Sequence, residues 1–274
     1  MIGMPIYSVP FDAVAEDYDR TFTGSNVGRA QRTAVWKDLI RTFYAGDRIL
    51  EIGCGTGVDA CFLASRGVTV VACDSSPAMI AIADRRVRQA NELKVHLHLL
   101  PAETLSELST RQRFDGGFSN FGVLNCVEDL QGVVSALARL LKPGATFLLC
   151  IMGRHCVWEV LWYLAHGNLQ KAFRRIRRGS VSARLAPDAT LRIFYPSVKR
   201  VIRIFSHGFR LKYWKGIGVT VPPSYLEHLA KRHPKLLRLT TRADSWLGKT
   251  YIVRGCADHI LLSFERVRES GGPW

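Results

Sequence analysis

Hydrophobic and polar positions along this chain alternate between two rhythms. "RILEIG" (48–53) is apolar after its leading Arg48 apart from one acid, the signature of a strand buried on both faces. "DACFLASRG" then takes helical spacing with Gly67 as its stop, and "VTVVACD" returns to a strand. In "SPAMIAIADRRVRQANE", Ser76 is placed to cap and Pro77 to open a helix whose buried face is Met79, Ile80, Ala83 and Val87. A helix is predicted around 27–43. Further strands are predicted at "KVHLHLL", "FDGGFSN" and "ATFLLCI", with "DLQGVVSALARLLKPG" as a helix between the last two. Alternation of this kind predicts a parallel sheet covered by helices on both faces.

Composition adds limits. With 274 residues, 47% apolar and 22% charged, the chain fits one domain with a large insertion and a substantial core. "ATFLLCIMG" falls far short of the roughly 20 residues that span a bilayer, so no transmembrane helix is expected. Asp12, Glu16, Asp17 and Asp19 precede the first basic residue, Arg20, which is the wrong charge for a leader, and a cytoplasmic protein starting near Met1 is expected. Seven cysteines without a C-x-x-C pair predict neither disulfides nor structural zinc. His96 and His98 alternate on a strand without a nearby Cys or carboxylate and read as strand-face residues, so no metal site is predicted. The net charge of +15 is uneven. Between Ile151 and Lys215 there are 14 Lys and Arg against Glu159 and Asp188, a local surface suited to an anionic partner or a membrane face.

The candidate chemistry lies in "ILEIGCGTGVDA" (49–60), where three glycines alternate behind the first strand. A P-loop would need a Gly-Lys-Ser/Thr that is absent. A dinucleotide turn would need a third glycine where Val58 stands. What remains is a strand ending in Glu51, a glycine turn that admits a ligand close to the backbone, and Asp74 closing the second strand, where a carboxylate can accept both ribose hydroxyls. That pattern suits a nucleoside without a pyrophosphate.

"LEIGCGTG" followed by "VVACDSSPAMI" resembles the class I S-adenosylmethionine-dependent methyltransferases, over roughly Phe11 to Ile151 and again at "FRLKYWKGIG" and "ADHILLSFERV". The resemblance implies a Rossmann-like α/β fold: a seven-stranded, mostly parallel sheet with the last strand antiparallel, plus a helical insertion between the fifth and sixth strands. The implied divisions are a nucleoside-binding core (1–152), a basic helical cap (153–208) and the last two strands (209–274). It further implies that Gly53, Gly55 and Gly57 cradle the methionine and ribose of S-adenosyl-L-methionine, that Asp74 binds the ribose, and that Met79 lies against the adenine. Glu103 or the backbone of Ala102 would meet the adenine amino group, Asn120 and Phe121 would flank the sulfonium, and Tyr18 would fold over the cofactor. Glu51 is a further candidate for cofactor contact.

Methyl transfer needs alignment more than a catalytic triad, because the sulfonium is already a strong electrophile. The loop "SNFG" lacks the prolines of an Asn-Pro-Pro-Tyr-like motif, which favours a small-molecule acceptor over DNA adenine. In "HCVWEVLWYLAHGNLQKAFRRIRRG", Trp158, Leu161, Trp162, Ala165, Leu169, Phe173 and Ile176 fall at helical spacing, with Lys171, Arg174, Arg175, Arg177 and Arg178 at the far end. This element reads as a helix pair with a solvated charged face, a lid over the acceptor lined by Trp158, Trp162 and Tyr195, or an in-plane contact with an anionic membrane through 171–178. His155, Tyr195 and His207 are the candidate bases. The expected function is methyl transfer to an oxygen, nitrogen or carbon of a metabolite, lipid-like or a natural-product scaffold. The alternatives are an RNA methyltransferase, for which no RNA-binding signature is present, and a non-enzymatic regulator that binds the nucleoside.

Overall fold

The computed structural model describes residues 9–267. Five parallel strands, β1 (Arg48–Ile52), β2 (Thr69–Asp74), β3 (Val95–Leu99), β4 (Phe114–Ser119) and β5 (Leu141–Met152), lie in one sheet with β8 (Phe209–Ile217) and β9 (His259–Arg266). The order is β3-β2-β1-β4-β5-β9-β8. β9 pairs antiparallel to both β5 and β8, so the last strand is inserted one place in from the edge. Successive residues explain the near-continuous apolar runs. Ile49, Val70, Leu148 and Leu261 pack on one face with α2 (Asn26–Thr42) and α3 (Val58–Ala64), while Leu50, Val71, Phe147 and Leu262 pack on the other with α5 (Leu130–Leu140).

Local chemistry sets the helix starts. Ser76 Oγ accepts the Met79 amide at 3.1 Å to cap α4 (Pro77–Gln89), and Asp129 caps α5 through the Gln131 amide at 2.8 Å. Strand order reverses between β1 and β4, and their carboxyl ends diverge to leave a crevice. The glycine turn follows β1 and "SNFG" follows β4, so both open onto that crevice. A short helix, α1 (Ala15–Tyr18), leads into α2 from the N-terminal segment.

The connection from β5 to β8 holds more than helices. After α6 (Val157–Ala165) and α7 (Leu169–Ala172) comes a hairpin of β6 (Ser180–Ala186) and β7 (Ala189–Phe194), then α8 (Val198–Phe205). The hairpin was legible in principle: Val181, Ala183 and Leu185 alternate with Ser182 and Arg184, and Pro187-Asp188 makes the turn. α9 (Glu227–Arg232) and α10 (Pro234–Leu247) lie between β8 and β9, where the sequence reading expected only the two strands. Among the described residues no helix is long and apolar enough to cross a membrane.

Candidate functional site

A cavity of about 440 Å³ lies over the crevice. Gly53, Cys54, Asn120, Phe121 and Gly122 contribute from the two strand ends, Phe11, Val14, Tyr18 and Phe22 from the N-terminal segment, and Val181, Ala183, Leu185, Leu191 and Ile193 from one face of the hairpin. The wall is completed by Tyr195, Tyr225, Arg175, Asp258 and His259.

The glycines do three different things. Gly53 has φ +72, and a Cβ there would lie 2.3 Å from the Val123 side chain. Gly57 has φ +76, and a Cβ would lie 2.9 Å from that of Ala83, so the residue lets α3 approach α4. Gly55 has φ +52 and nothing within 4 Å of an added Cβ, which leaves its open side to whatever the turn receives. The turn is tied to β2 through the Gly53 and Cys54 amides, which donate to the Cys73 carbonyl at 2.8 and 3.0 Å, and through the Gly55 amide, which donates to Asp74 Oδ2 at 2.8 Å. Asp74 Oδ1 also accepts the Ser76 amide at 2.9 Å. Burial nonetheless holds the Asp74 carboxyl above its ordinary value, against these amides. Glu51 is 2% exposed, its Oε2 has no partner, and burial with Asp59 and Asp74 nearby pushes its carboxyl well up.

The N-terminal segment is fastened over the turn by two acids. Asp12 accepts the Ser76 hydroxyl and, at 3.2 Å, the Ala78 amide; Asp19 accepts the Thr56 hydroxyl at 2.7 Å and pairs with Arg86. This brings Tyr18 to the cavity wall, where burial pushes its hydroxyl up to about 12 despite the nearby Arg32.

Beside the loop after β4 lies a charged hub on Asp59, which sequence reasoning missed although "GTGVDA" contains it. Asp59 Oδ1 accepts Arg32 and Trp36 Nε1, each at 2.6 Å, and Oδ2 accepts Asn120 Nδ2 at 2.8 Å. The Arg32 guanidinium lies 4.9 Å from the Phe121 ring centre. Phe121 itself has φ +50, a conformation uncommon for a side-chain-bearing residue, so the loop is held under strain where it faces the cavity.

Of the other cofactor candidates, Met79 is 2% exposed and belongs to the core, Ala102 is buried, and Glu103 is exposed. None of the three lines the cavity; Cys126 does, and burial raises its thiol to about 12, with smaller contributions from Glu103 and Asp74.

The candidate bases divide. Tyr195 lines the cavity, its hydroxyl raised by burial against the pull of Arg175. His155 and His207 are corrections: both are exposed and neither lines the cavity. His207 sits in the turn before β8, at the amino end of the parallel strands, because α8 carries the chain back to that edge. The histidine that does reach the cavity is His259, at the start of β9, 6% exposed and edge-on to Phe121 at 5.6 Å. Its Nδ1 lies 3.3 Å from Asp258 Oδ2 without hydrogen-bond alignment. The Asp-His pair in "ADHILLSFERV" was the available signal.

The basic cluster divides as well. Arg174 makes a two-pronged pair with Glu159, both bonds 2.8 Å, and Arg175, 5% exposed, bridges Glu159 at 3.0 Å and Asp258 at 2.8 Å. Burial opposes ionisation of Asp258, but His259 and Arg175 outweigh it and hold the carboxyl far below the usual range. Trp158 and Trp162 do not face the cavity: Trp158 lines a separate cleft with Leu229 and Leu237, and Trp162 packs on His166 and His228.

Buried polar atoms without a partner gather at this place. Asn120 Oδ1, Arg32 Nε, Arg175 Nε and His259 Nδ1 all belong to cavity residues, and the partnerless Glu51 Oε2 lies two positions before Gly53. Such clustering marks a site built for a polar ligand.

Comparison with known proteins agrees with this geometry. Residues 49–144 match a methyltransferase domain family. A demethylmenaquinone methyltransferase of Clavibacter sepedonicus is 35% identical over 144 residues, 52% of this chain and 56% of the relative. A tRNA 5-carboxymethoxyuridine methyltransferase of Escherichia coli K12 is 30% identical over 169 residues, 58% of each. The matches thus span little more than half the length of these curated relatives. In fold, the chain superposes on a SAM-dependent methyltransferase of Methanosarcina mazei with TM-score 0.57 at 19% identity, covering 85% of this chain and 98% of the other. The matched domain, the sheet order and the glycine turn facing Asp74 together identify residues 49–144 as a methyltransferase domain within a Rossmann-like fold shared with SAM-dependent methyltransferases.

Proposed function

We propose that this chain transfers a methyl group from S-adenosylmethionine to an oxygen, nitrogen or carbon of a small-molecule metabolite held beneath the β6–β7 hairpin. The observation that carries the reading is the continuity of one cavity from Gly53 and Asn120 to the apolar hairpin face and His259. The residues fit the cofactor: Gly55 leaves open space, Asp74 keeps a carboxylate at the second strand end, and partnerless polar atoms of Arg32, Asn120, Arg175 and His259 belong to residues lining the cavity. When bound, S-adenosylmethionine supplies a sulfonium-activated methyl carbon.

In this reading Gly53, Gly55 and Gly57 admit the nucleoside, and Asp74 receives its ribose hydroxyls. Ala102 and Glu103 stand at the adenine end, while Tyr18, Asn120 and Phe121 stand at the methyl end. The hairpin excludes water and aligns the acceptor, which is where most of the rate enhancement for such a transfer arises. His259 takes the proton from an alcohol or phenol acceptor, and the neighbouring Asp258 carboxylate stabilises the imidazolium that forms. Tyr195, kept neutral, offers a hydroxyl hydrogen bond for positioning.

The name of the Escherichia coli relative favours RNA as a second reading. Against it, Arg174 and Arg175 are paired to carboxylates and withdrawn from any phosphate. The deciding experiment incubates the protein, loaded with S-adenosylhomocysteine, with a metabolite extract and separately with total tRNA, reads what is retained by mass spectrometry, and repeats with labelled S-adenosylmethionine. We expect a retained small molecule that gains one methyl group. Labelled tRNA with no methylated metabolite would replace the reading with the second, and binding of the nucleoside without any transfer would replace it with a regulatory role.

A further inference from the structure

α6 is built inside out. Its one charged side chain, Glu159, is 1% exposed, while Val157, Leu161 and Leu164, spaced to share a stripe on the opposite side of the helix, are 42%, 59% and 40% exposed. The apolar surface continues through the next turns, where Leu169 (65%), Phe173 and Ile176 are also exposed. An ordinary surface helix shows the reverse pattern, and a contiguous exposed apolar patch marks an interaction site.

The surroundings of the patch say what covers it. Lys171, Arg177 and Arg178 are exposed along its border, and no carboxylate pairs with them among the described residues. Arg154 donates to the Ile176 carbonyl at 2.9 Å, which joins the patch to a cleft of about 450 Å³ that Arg154, Arg177, Arg178 and Arg200 line. The one carboxylate in that cleft, Glu128, pairs with Arg192 at 3.3 Å. Of the two acids in this segment, Glu159 is buried against arginines and Asp188 lies at the hairpin turn. A second copy seated on the patch would set these cations against their own counterparts, which is repulsive. A bilayer carrying anionic lipid satisfies both features: acyl chains take the apolar side chains and headgroup phosphates take the cations.

We propose that the α6–α7 face docks in the plane of an anionic membrane surface, with Leu161, Leu164, Leu169 and Phe173 inserted and Lys171, Arg177 and Arg178 on the headgroups. The proposal goes beyond the methyl-transfer reading and does not rest on it. Its test is co-sedimentation of the whole protein with vesicles of phosphatidylcholine alone and of phosphatidylcholine mixed with phosphatidylglycerol. Two double variants accompany it, Leu161→Gln/Leu164→Gln and Arg177→Glu/Arg178→Glu, each checked for a wild-type melting temperature and wild-type S-adenosylhomocysteine binding.

The wild type should sediment with the mixed vesicles only, less at high salt. The charge-reversal variant should bind on the order of tenfold or more weakly, and the apolar variant should also lose binding. A wild type that ignores mixed vesicles, or two variants that bind like it, would overturn the proposal. So would a dimer in sedimentation velocity that Leu161→Gln/Leu164→Gln dissolves, since the face would then belong to a second copy.

Discussion

On the side of Gly53 the cavity is made by residues that are neighbours in sequence or one strand apart: the turn at 53–57 is held to β2 by Asp74 and Cys73. On the side of His259 it is made by segments that meet only through the sheet order: Tyr195 after the hairpin, Arg175 before it, Tyr225 from the β8–β9 connection and His259 from the last strand. The first side is fixed by backbone geometry that few residues satisfy, and so it leaves a spacing in the sequence. The second is fixed by ion pairs between distant positions, and so it leaves almost none.

The comparison breaks most sharply at Arg175. Removing its side chain in Arg175→Ala leaves Glu159 with Arg174 alone and Asp258 with only His259 and the neutral Gln31 amide, both carboxylates buried. Stability at neutral pH should fall by about 3–5 kcal/mol, the usual cost of breaking a buried pair. Asp258 is held below its unfolded value of about 3.9, so its contribution is present above that pH and fades as the pH falls below it. Melting curves should therefore show the gap between wild type and variant narrowing below about pH 4. A gap independent of pH would mean that Arg175 acts by packing instead.

His259→Gln addresses the same side at the chemical step. If the imidazole takes the proton, turnover on a hydroxyl acceptor should fall about a hundredfold or more, with S-adenosylhomocysteine affinity unchanged. Turnover on a hydroxyl acceptor that stays at the wild-type level in the variant would move the proton to another group.

Much of this contrast explains what the sequence revealed. The parallel sheet, the Ser76 cap and the glycine turn were legible because each depends on contacts within a few residues or one strand. The Arg174–Arg175 pair looked solvated because Glu159 stands fifteen and sixteen positions away and Asp258 eighty-three, separations that carry no local pattern. His155 and His207 attracted notice as histidines in the basic insertion, yet both are exposed and neither lines the cavity. The β6–β7 hairpin was missed for another reason: the helical spacing read over 155–179 was extended to the whole insertion, although the two-residue alternation was present in 181–185.

On the cofactor side, Asp74→Ala should weaken S-adenosylhomocysteine binding by roughly 1.5–3 kcal/mol, the range for charge-assisted hydrogen bonds. Asp74 also receives the Gly55 and Ser76 amides, so some of that loss would come from a loosened turn. Gly55→Ala separates the two contributions. Its Cβ meets no protein atom within 4 Å, and the strain of a positive φ costs about 1–2 kcal/mol of stability, but in the proposed reading the methyl group stands where the nucleoside comes. Calorimetry should find lost affinity in a protein that still unfolds cooperatively. Unchanged affinity in Gly55→Ala would place the nucleoside elsewhere.

The smallest effect belongs to the hairpin wall. Leu191 lines the cavity from β7 opposite Ala183, with which it is in register across the hairpin. Truncation in Leu191→Ala removes apolar contact from one side of the acceptor without touching the glycine turn, Asp74 or His259. A few methylenes lost from an apolar wall correspond to roughly 1–2 kcal/mol of discrimination. The KM for the acceptor should therefore rise about five- to thirtyfold, while kcat and cofactor affinity stay near wild type. Because ground state and transition state touch this wall alike, a fall in kcat with KM unchanged would show that the hairpin aligns the acceptor only at the moment of transfer. Loss of S-adenosylhomocysteine affinity would instead mean that the two sides of the cavity are coupled and that the hairpin closes over the cofactor as well.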